Sequence, residues 1–182
     1  MDRGYIYVNK KNFINNLQYL SQASKKNICL IVKANAYGHG IKWSVLNARE
    51  AGVEWFAVAS IEEGIQVKQE FKESRVLLLA EPSVGQLDNI LKNDLDLTVY
   101  SDTFINALIG KNNQYNVHLK IDTGMHRIGC SPEKFNYFHE KINSSNLNLA
   151  GICTHFPLAD TDKGETQKSI DLFKNTISNV DI

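Results

Sequence analysis

The sequence predicts an α/β fold of the (β/α)8 TIM-barrel type, with fewer strands than a complete barrel. Three observations carry this. Apolar runs of strand length alternate about seven times with segments of helical periodicity. The connections are short, which implies parallel strands joined by right-handed crossovers. Polar residues out of keeping with their surroundings, Lys33 and Tyr37, Asp122 and Arg127, and His155, fall at the C-terminal ends of strands, where barrels place chemistry. An open doubly wound sheet satisfies the first two observations, but no G-x-G-x-x-G follows the first buried strand.

Each element has its own signal. YIYV (Tyr5 to Val8) alternates as a strand, and Phe13, Ile14, Leu17 and Leu20 have helical spacing. ICLIVKA (Ile28 to Ala34) is a continuous apolar run suited to a strand buried on both faces. IKWSVLNAREAG follows as a helix capped at Gly52. WFAVAS (Trp55 to Ser60) is a strand; the next helix starts with Ser60 and Glu63 in capping-box spacing and presents a solvated face. RVLLLA (Arg75 to Ala80) and LDLTVY (Leu95 to Tyr100) are strands, followed by the helices SVGQLDNILKND and SDTFINALIG in the order strand, helix, strand, helix. NVHLKIDTG (Asn116 to Gly124) is a strand and its loop, and SPEKFNYFHEKI is a helix with Pro132 in its first turn. LNLAGICTHF (Leu147 to Phe156) is the last strand, and ETQKSIDLFKNTIS the last helix. A complete barrel takes about 250 residues, so 182 residues are expected to fall short of eight strands.

Composition narrows the function classes. With 43% hydrophobic and 22% charged residues the chain is an ordinary globular protein. Its 20 basic and 20 acidic side chains cancel, which removes the electrostatic case for nucleic acid or an anionic membrane. Cys29, Cys130 and Cys153 are widely spaced and odd in number, arguing against a disulfide framework or a zinc site. No apolar leader opens the chain and no run reaches membrane-spanning length, so a cytoplasmic protein is expected.

Lys33 is the leading candidate for chemistry. Desolvation by apolar neighbours favours a neutral amine, which can add to an aldehyde or act as a base. The small residues Asn35 to Gly40 after it would admit a planar ligand close to the backbone. The alternative is a strand-end lysine that reaches to solvent. In the second cluster, alternation puts His118, Lys120 and Asp122 on one face of a strand, either as an ion-pair network or as ligand contacts, and Arg127 follows with a rigid donor fork. His155 is the third candidate, and could equally be a satisfied core residue. The five histidines lack metal-ligand spacing, so no metal is expected.

Three of these segments together resemble one family. IVKANAYGHG, VHLKIDTGMHRIG and GICTHFPLAD are similar, in order, to the sequence blocks of the alanine racemases, with FAVASIEEGI and RVLLLAE in their expected places between the first two. The resemblance runs from about Tyr5 to the end of the chain. It implies a fold-type III pyridoxal-phosphate enzyme that interconverts L- and D-alanine, supplying D-alanine for peptidoglycan. Residues 1–182 would be the N-terminal barrel domain, truncated to about six barrel strands plus the N-terminal strand Tyr5 to Val8, without the C-terminal β-domain.

The resemblance also implies roles. Lys33 would be the Schiff-base lysine and one of two bases. Tyr37 would meet the cofactor phosphate. Arg127 would contact the cofactor's phenolic oxygen and the substrate carboxylate. Lys120 matches a lysine carbamylated in some members, and His155 a histidine beneath the cofactor. The other base would be a tyrosine from the β-domain of a partner in a homodimer. On this expectation the isolated chain is inactive and prone to associate through unpaired strand edges. A single-barrel pyridoxal-phosphate homeostasis protein and a degenerate, non-catalytic barrel are the alternatives. Pro157 stands where the family usually has a small residue.

Overall fold

The computed structural model describes residue 4 and residues 6–180. The chain forms two compact units, one from the chain up to Leu79 with Lys92–Leu95, the other from Ala80–Leu91 with the chain from Asp96 on.

In the first unit three parallel strands pair in chain order: β1 (Cys29–Ile31), β2 (Trp55–Val58) and β3 (Arg75–Leu78). Around them lie α1 (Lys10–Ser24), a short helical turn α2 (Lys33–Tyr37), α3 (Ile41–Glu50) and α4 (Ile61–Glu70). Phe56 and Val58 of β2, Val76 and Leu78 of β3, Val45 and Ala48 of α3, and Val67 of α4 are all at most 1% exposed. Helix starts follow side-chain chemistry. The Asn9 carboxamide oxygen accepts the Asn12 N–H at α1. Ser60 and Glu63 form the reciprocal capping box at α4.

Two expectations are corrected here. The strand expected over Ile28 to Ala34 is only three residues long, and its last residue, Ile31, is 38% exposed. Among the described residues β1 is hydrogen-bonded to a strand, β2, on one side only. Ile6–Val8 is not a strand: Ile6 and Tyr7 are almost wholly exposed. Tyr5 lies outside the described residues.

In the second unit β4 (Asp96–Val99), β5 (Asn116–Lys120) and β6 (Asn148–Cys153) are again parallel and in chain order, with a register shift between Val117 and His118 where β5 meets β6. α5 (Leu87–Lys92) opens with a 3-10 turn, α6 (Asp102–Gly110) is capped by Ser101, α7 (Phe135–Asn143) follows the Pro132 turn, and α8 (Lys163–Thr176) is capped by Asp162. β4 is buried throughout and β5 from Val117 on, whereas β6, at the edge, has no fully buried residue.

One face of this ladder is polar. Asn148 donates to Asn116 (2.8 Å), Asn116 to Asp96 (3.0 Å), and the His118 ring meets Asp96 at 3.3 Å, with His118 and Asp96 both nearly inaccessible. Buried polar groups must be partnered in this way. A Cβ at Gly151 would sit 2.6 Å from His118 Nδ1, so a glycine stands opposite the imidazole.

Candidate active site

Lys33 lies just beyond the C-terminal end of β1, half-buried, and it opens α2. The turn that follows is left-handed: Ala34, Asn35, Ala36 and Tyr37 have φ of 52°, 53°, 54° and 51°. Left-handed geometry costs an L-residue about 1–2 kcal/mol, so four in succession, only one of them an asparagine, need outside support. Gly38, at φ 88°, ends the turn. A Cβ there would meet none of the chain's own atoms within 4 Å, and the backbone angle is what requires a glycine.

Hydrogen bonds from side chains hold this turn. Asn35 Oδ1 accepts the Ile41 N–H at 2.9 Å, joining the turn to the first residue of α3. Glu63 Oε1 accepts the Ala34 N–H at 2.6 Å, while Oε2 accepts from Ala59 (2.9 Å) and Ser60 (3.3 Å). One carboxylate thus caps α4 and anchors the peptide after Lys33. Glu63 therefore does not belong to a merely solvated helix face. The Lys33 ammonium lies 6.0 Å from the centroid of the Tyr37 ring, itself 61% exposed.

The second unit carries the other candidates. Asp122 follows β5, and its Oδ1 accepts the N–H groups of Gly124 and His126, each at 3.0 Å. Burial pushes its carboxyl up, but the N–H groups of Gly124, His126 and Met125 and the nearby His126 ring hold it below the usual carboxylate range. Asp122 is therefore bound within its own loop and does not neutralise Lys120. Arg127 lies exposed in that loop. The loop returns at Gly129, where Cys130 bridges to the end of β5 (Cys130 N–H to Lys120 O and Asp122 N–H to Cys130 O, both 2.9 Å).

Lys120, the last residue of β5, is 8% exposed, and among the described residues no ion pair or hydrogen bond holds its ammonium. Its register partner is Cys153 on β6. Burial raises the Cys153 thiol, with Lys120 acting the other way, and burial pushes Cys130 up to about 11. Both thiols therefore hold less thiolate near neutrality than an ordinary cysteine. His155 lies exposed two residues after β6, next to Thr154, whose hydroxyl donates to Ile121 O (2.9 Å) and meets the Thr123 hydroxyl (2.7 Å).

Each candidate thus follows or ends a parallel strand. Lys33 and Tyr37 stand together in the first unit; Lys120, Arg127 and His155 belong to the second. Sequence reasoning missed the Ala34 bond of Glu63, the Asp96–His118 pair, and Glu81, which accepts the Tyr100 and Ser101 N–H groups and the Ser101 hydroxyl, all at 2.7 Å. The capping box gave Glu63 a local role, but none of these three carries a local signal for its distant partner. Among the described residues no cluster of three or more His, Cys, Asp or Glu could hold a metal, and no helix is long and apolar enough to cross a membrane.

The family model for the alanine racemase N-terminal domain matches residues 8–181. The alanine racemase of Treponema denticola is 39% identical over 92% of this chain and 48% of its own length. That of Fusobacterium nucleatum is 32% identical over 99% and 52%. The chain thus spans about half the length of these curated relatives. Among solved structures, the alanine racemase of E. faecalis superposes with a TM-score of 0.88 at 27% identity, over 96% of this chain and 50% of that one. That of Oenococcus oeni gives 0.85 at 30%, over 95% and 52%. The six parallel strands with their alternating helices are those of an incomplete TIM barrel.

Proposed function

The chain belongs to the alanine racemase N-terminal domain family, and from that premise we propose that it is the pyridoxal-phosphate-carrying part of an enzyme interconverting L- and D-alanine. The observation that supports this most is Lys33, a half-buried primary amine presented at the end of β1 by a strained turn, with the Tyr37 phenol ring 6.0 Å away. Strained backbone of this kind persists where a site needs a group held in place.

The donor set suits the cofactor. An amine is present for its aldehyde and a phenol for its phosphate; a guanidinium, Arg127, and an imidazole, His155, follow strands of the second unit. When bound, pyridoxal phosphate supplies the electron sink that makes the α-proton of an amino acid removable. Lys33 Nζ would hold the cofactor through its aldehyde and would serve as the base for the proton on the D face. Tyr37 binds phosphate. Arg127 would hold the cofactor's phenolic oxygen and the substrate carboxylate through its rigid donor fork. Lys120, 8% exposed and with no ion pair among the described residues, would offer Arg127 a counter-charge if it were carbamylated. His155 would be a histidine that supports the bound cofactor. The second base comes from outside these residues, on a partner subunit of a cytoplasmic homodimer, and the D-alanine feeds peptidoglycan.

The test is a half-reaction. With pyridoxal phosphate in deuterated water, this chain should exchange the α-proton of D-alanine without inverting it, and Lys33→Ala should abolish the exchange. Exchange that survives Lys33→Ala would refute the role given to Lys33.

A further inference from the structure

We propose that Glu63 is a positioning residue that aims Lys33, an inference that rests on Lys33 being the cofactor lysine. The turn after Lys33 is left-handed at four consecutive residues other than glycine. Its other polar ties are local: Ala36 N–H to Val32 O (2.8 Å), Gly40 N–H to Asn35 O (2.9 Å) and Ile41 N–H to Asn35 Oδ1 (2.9 Å). Among the described residues, the Ala34 N–H to Glu63 Oε1 bond, at 2.6 Å, is the one hydrogen bond that joins residues 33–40 to a distant part of the chain.

That bond falls on the peptide between Lys33 and Ala34, so it fixes the plane from which the lysine side chain departs. Glu63 is itself immobilised. Its second oxygen takes the Ala59 and Ser60 N–H groups, and it stands in the first turn of α4, where the helix dipole favours an anion. Three donors converge on the two oxygens of one carboxylate. A glutamine has one acceptor oxygen, so whichever way its amide is turned, an NH2 group faces at least one of these N–H donors. Glutamine is also acceptable at this position of a capping box, and its one oxygen is drawn to the side with two donors, Ala59 and Ser60, so Glu63→Gln preserves helix initiation and turns its NH2 toward the Ala34 N–H, breaking the tie to Lys33.

The experiment compares wild type, Glu63→Gln and Ser60→Ala in the whole chain. Ser60→Ala removes the hydroxyl that accepts the Glu63 N–H (3.3 Å) and leaves the Glu63 carboxylate in place. The first readout is amide hydrogen exchange at Ala34 to Gly38, which needs no cofactor. Glu63→Gln should speed it about tenfold, as expected for loss of a charge-assisted bond, with Ser60→Ala like wild type. The second is borohydride trapping of pyridoxal phosphate followed by peptide mapping. Glu63→Gln should lower the yield on Lys33 about tenfold relative to the other lysines, and Ser60→Ala should not.

Equal exchange in Glu63→Gln and Ser60→Ala overturns the proposal. So does faster exchange in Glu63→Gln with an undiminished Lys33 yield, which would leave Glu63 a purely structural tie. If wild type itself gives no Lys33 adduct, the cofactor reading fails and takes the aiming role with it. The exchange arm then still reports whether Glu63 holds the turn.

Discussion

Replacing Gly129 by alanine should destabilise the protein by about 3–5 kcal/mol, and the structure gives the components. Gly129 has φ +127°, a region nearly closed to L-residues; occupying it costs about 1–3 kcal/mol. The new Cβ would also lie 2.7 Å from Asp122 N and 2.9 Å from the carbonyl carbon of Ile121. These are backbone atoms, so the strands must part. The two 2.9 Å bonds that join Cys130 to the end of β5 are then lost, at about 1 kcal/mol each. Gly110→Ala is the control: it ends α6, and its Cβ would meet nothing within 4 Å. It should be neutral or stabilising by up to about 1 kcal/mol. Urea unfolding followed by circular dichroism measures both. A Gly129→Ala protein within 1 kcal/mol of wild type, or a Gly110→Ala protein equally weakened, would refute the reasoning. Arg127 shares this loop, so Gly129→Ala should also disturb any ligand contact that Arg127 makes.

Other perturbations follow from the same geometry. Asp96→Ala removes the acceptor of both Asn116 and His118 from a buried site and should cost about 2–4 kcal/mol; a loss below about 1 kcal/mol would show the network to be dispensable. The Cys130 thiol, raised from 9.0 to about 11 by burial, should alkylate at pH 8 about a hundredfold more slowly than an exposed cysteine, as read by peptide mapping. Because the folded thiol holds its proton longer than the unfolded one, stability should fall as pH rises from about 9 to about 11, and Cys130→Ala should flatten that slope. Asp122 has the opposite sign. Its folded carboxyl is held below the ordinary 3.8, so its contribution is present above that pH and lost as pH falls below it. Asp122→Asn should diminish the acid-induced loss.

The readable parts of the fold were those set by local chemistry. Ser60 with Glu63 and Pro132 before α7 specify helix starts within one turn, and the structure has those starts. The buried strands β2 to β5 follow from short apolar runs between turn signals. The apolar run predicts a longer β1 because Val32 and Ala34 look like more strand, whereas the chain turns left-handed at Ala34. That handedness depends on Asn35 and on Glu63, 29 residues further along the chain. The alternation of YIYV gives no strand at Ile6–Val8, where Ile6 and Tyr7 are exposed. Within the site, lysine, tyrosine and arginine were legible as residue types out of place. The partner of His118 was not, because Asp96 is 22 positions away. Periodicity put His118, Lys120 and Asp122 on one face; it could not show that Asp122 is held by its own loop.

The central claim is that Lys33 carries the cofactor. Pyridoxal phosphate added to the chain, reduced with borohydride and mapped by peptide, tests it most directly. A single pyridoxyl group on Lys33 is the predicted result. Adducts scattered over exposed lysines such as Lys42 and Lys168, with none concentrated on Lys33, would contradict it.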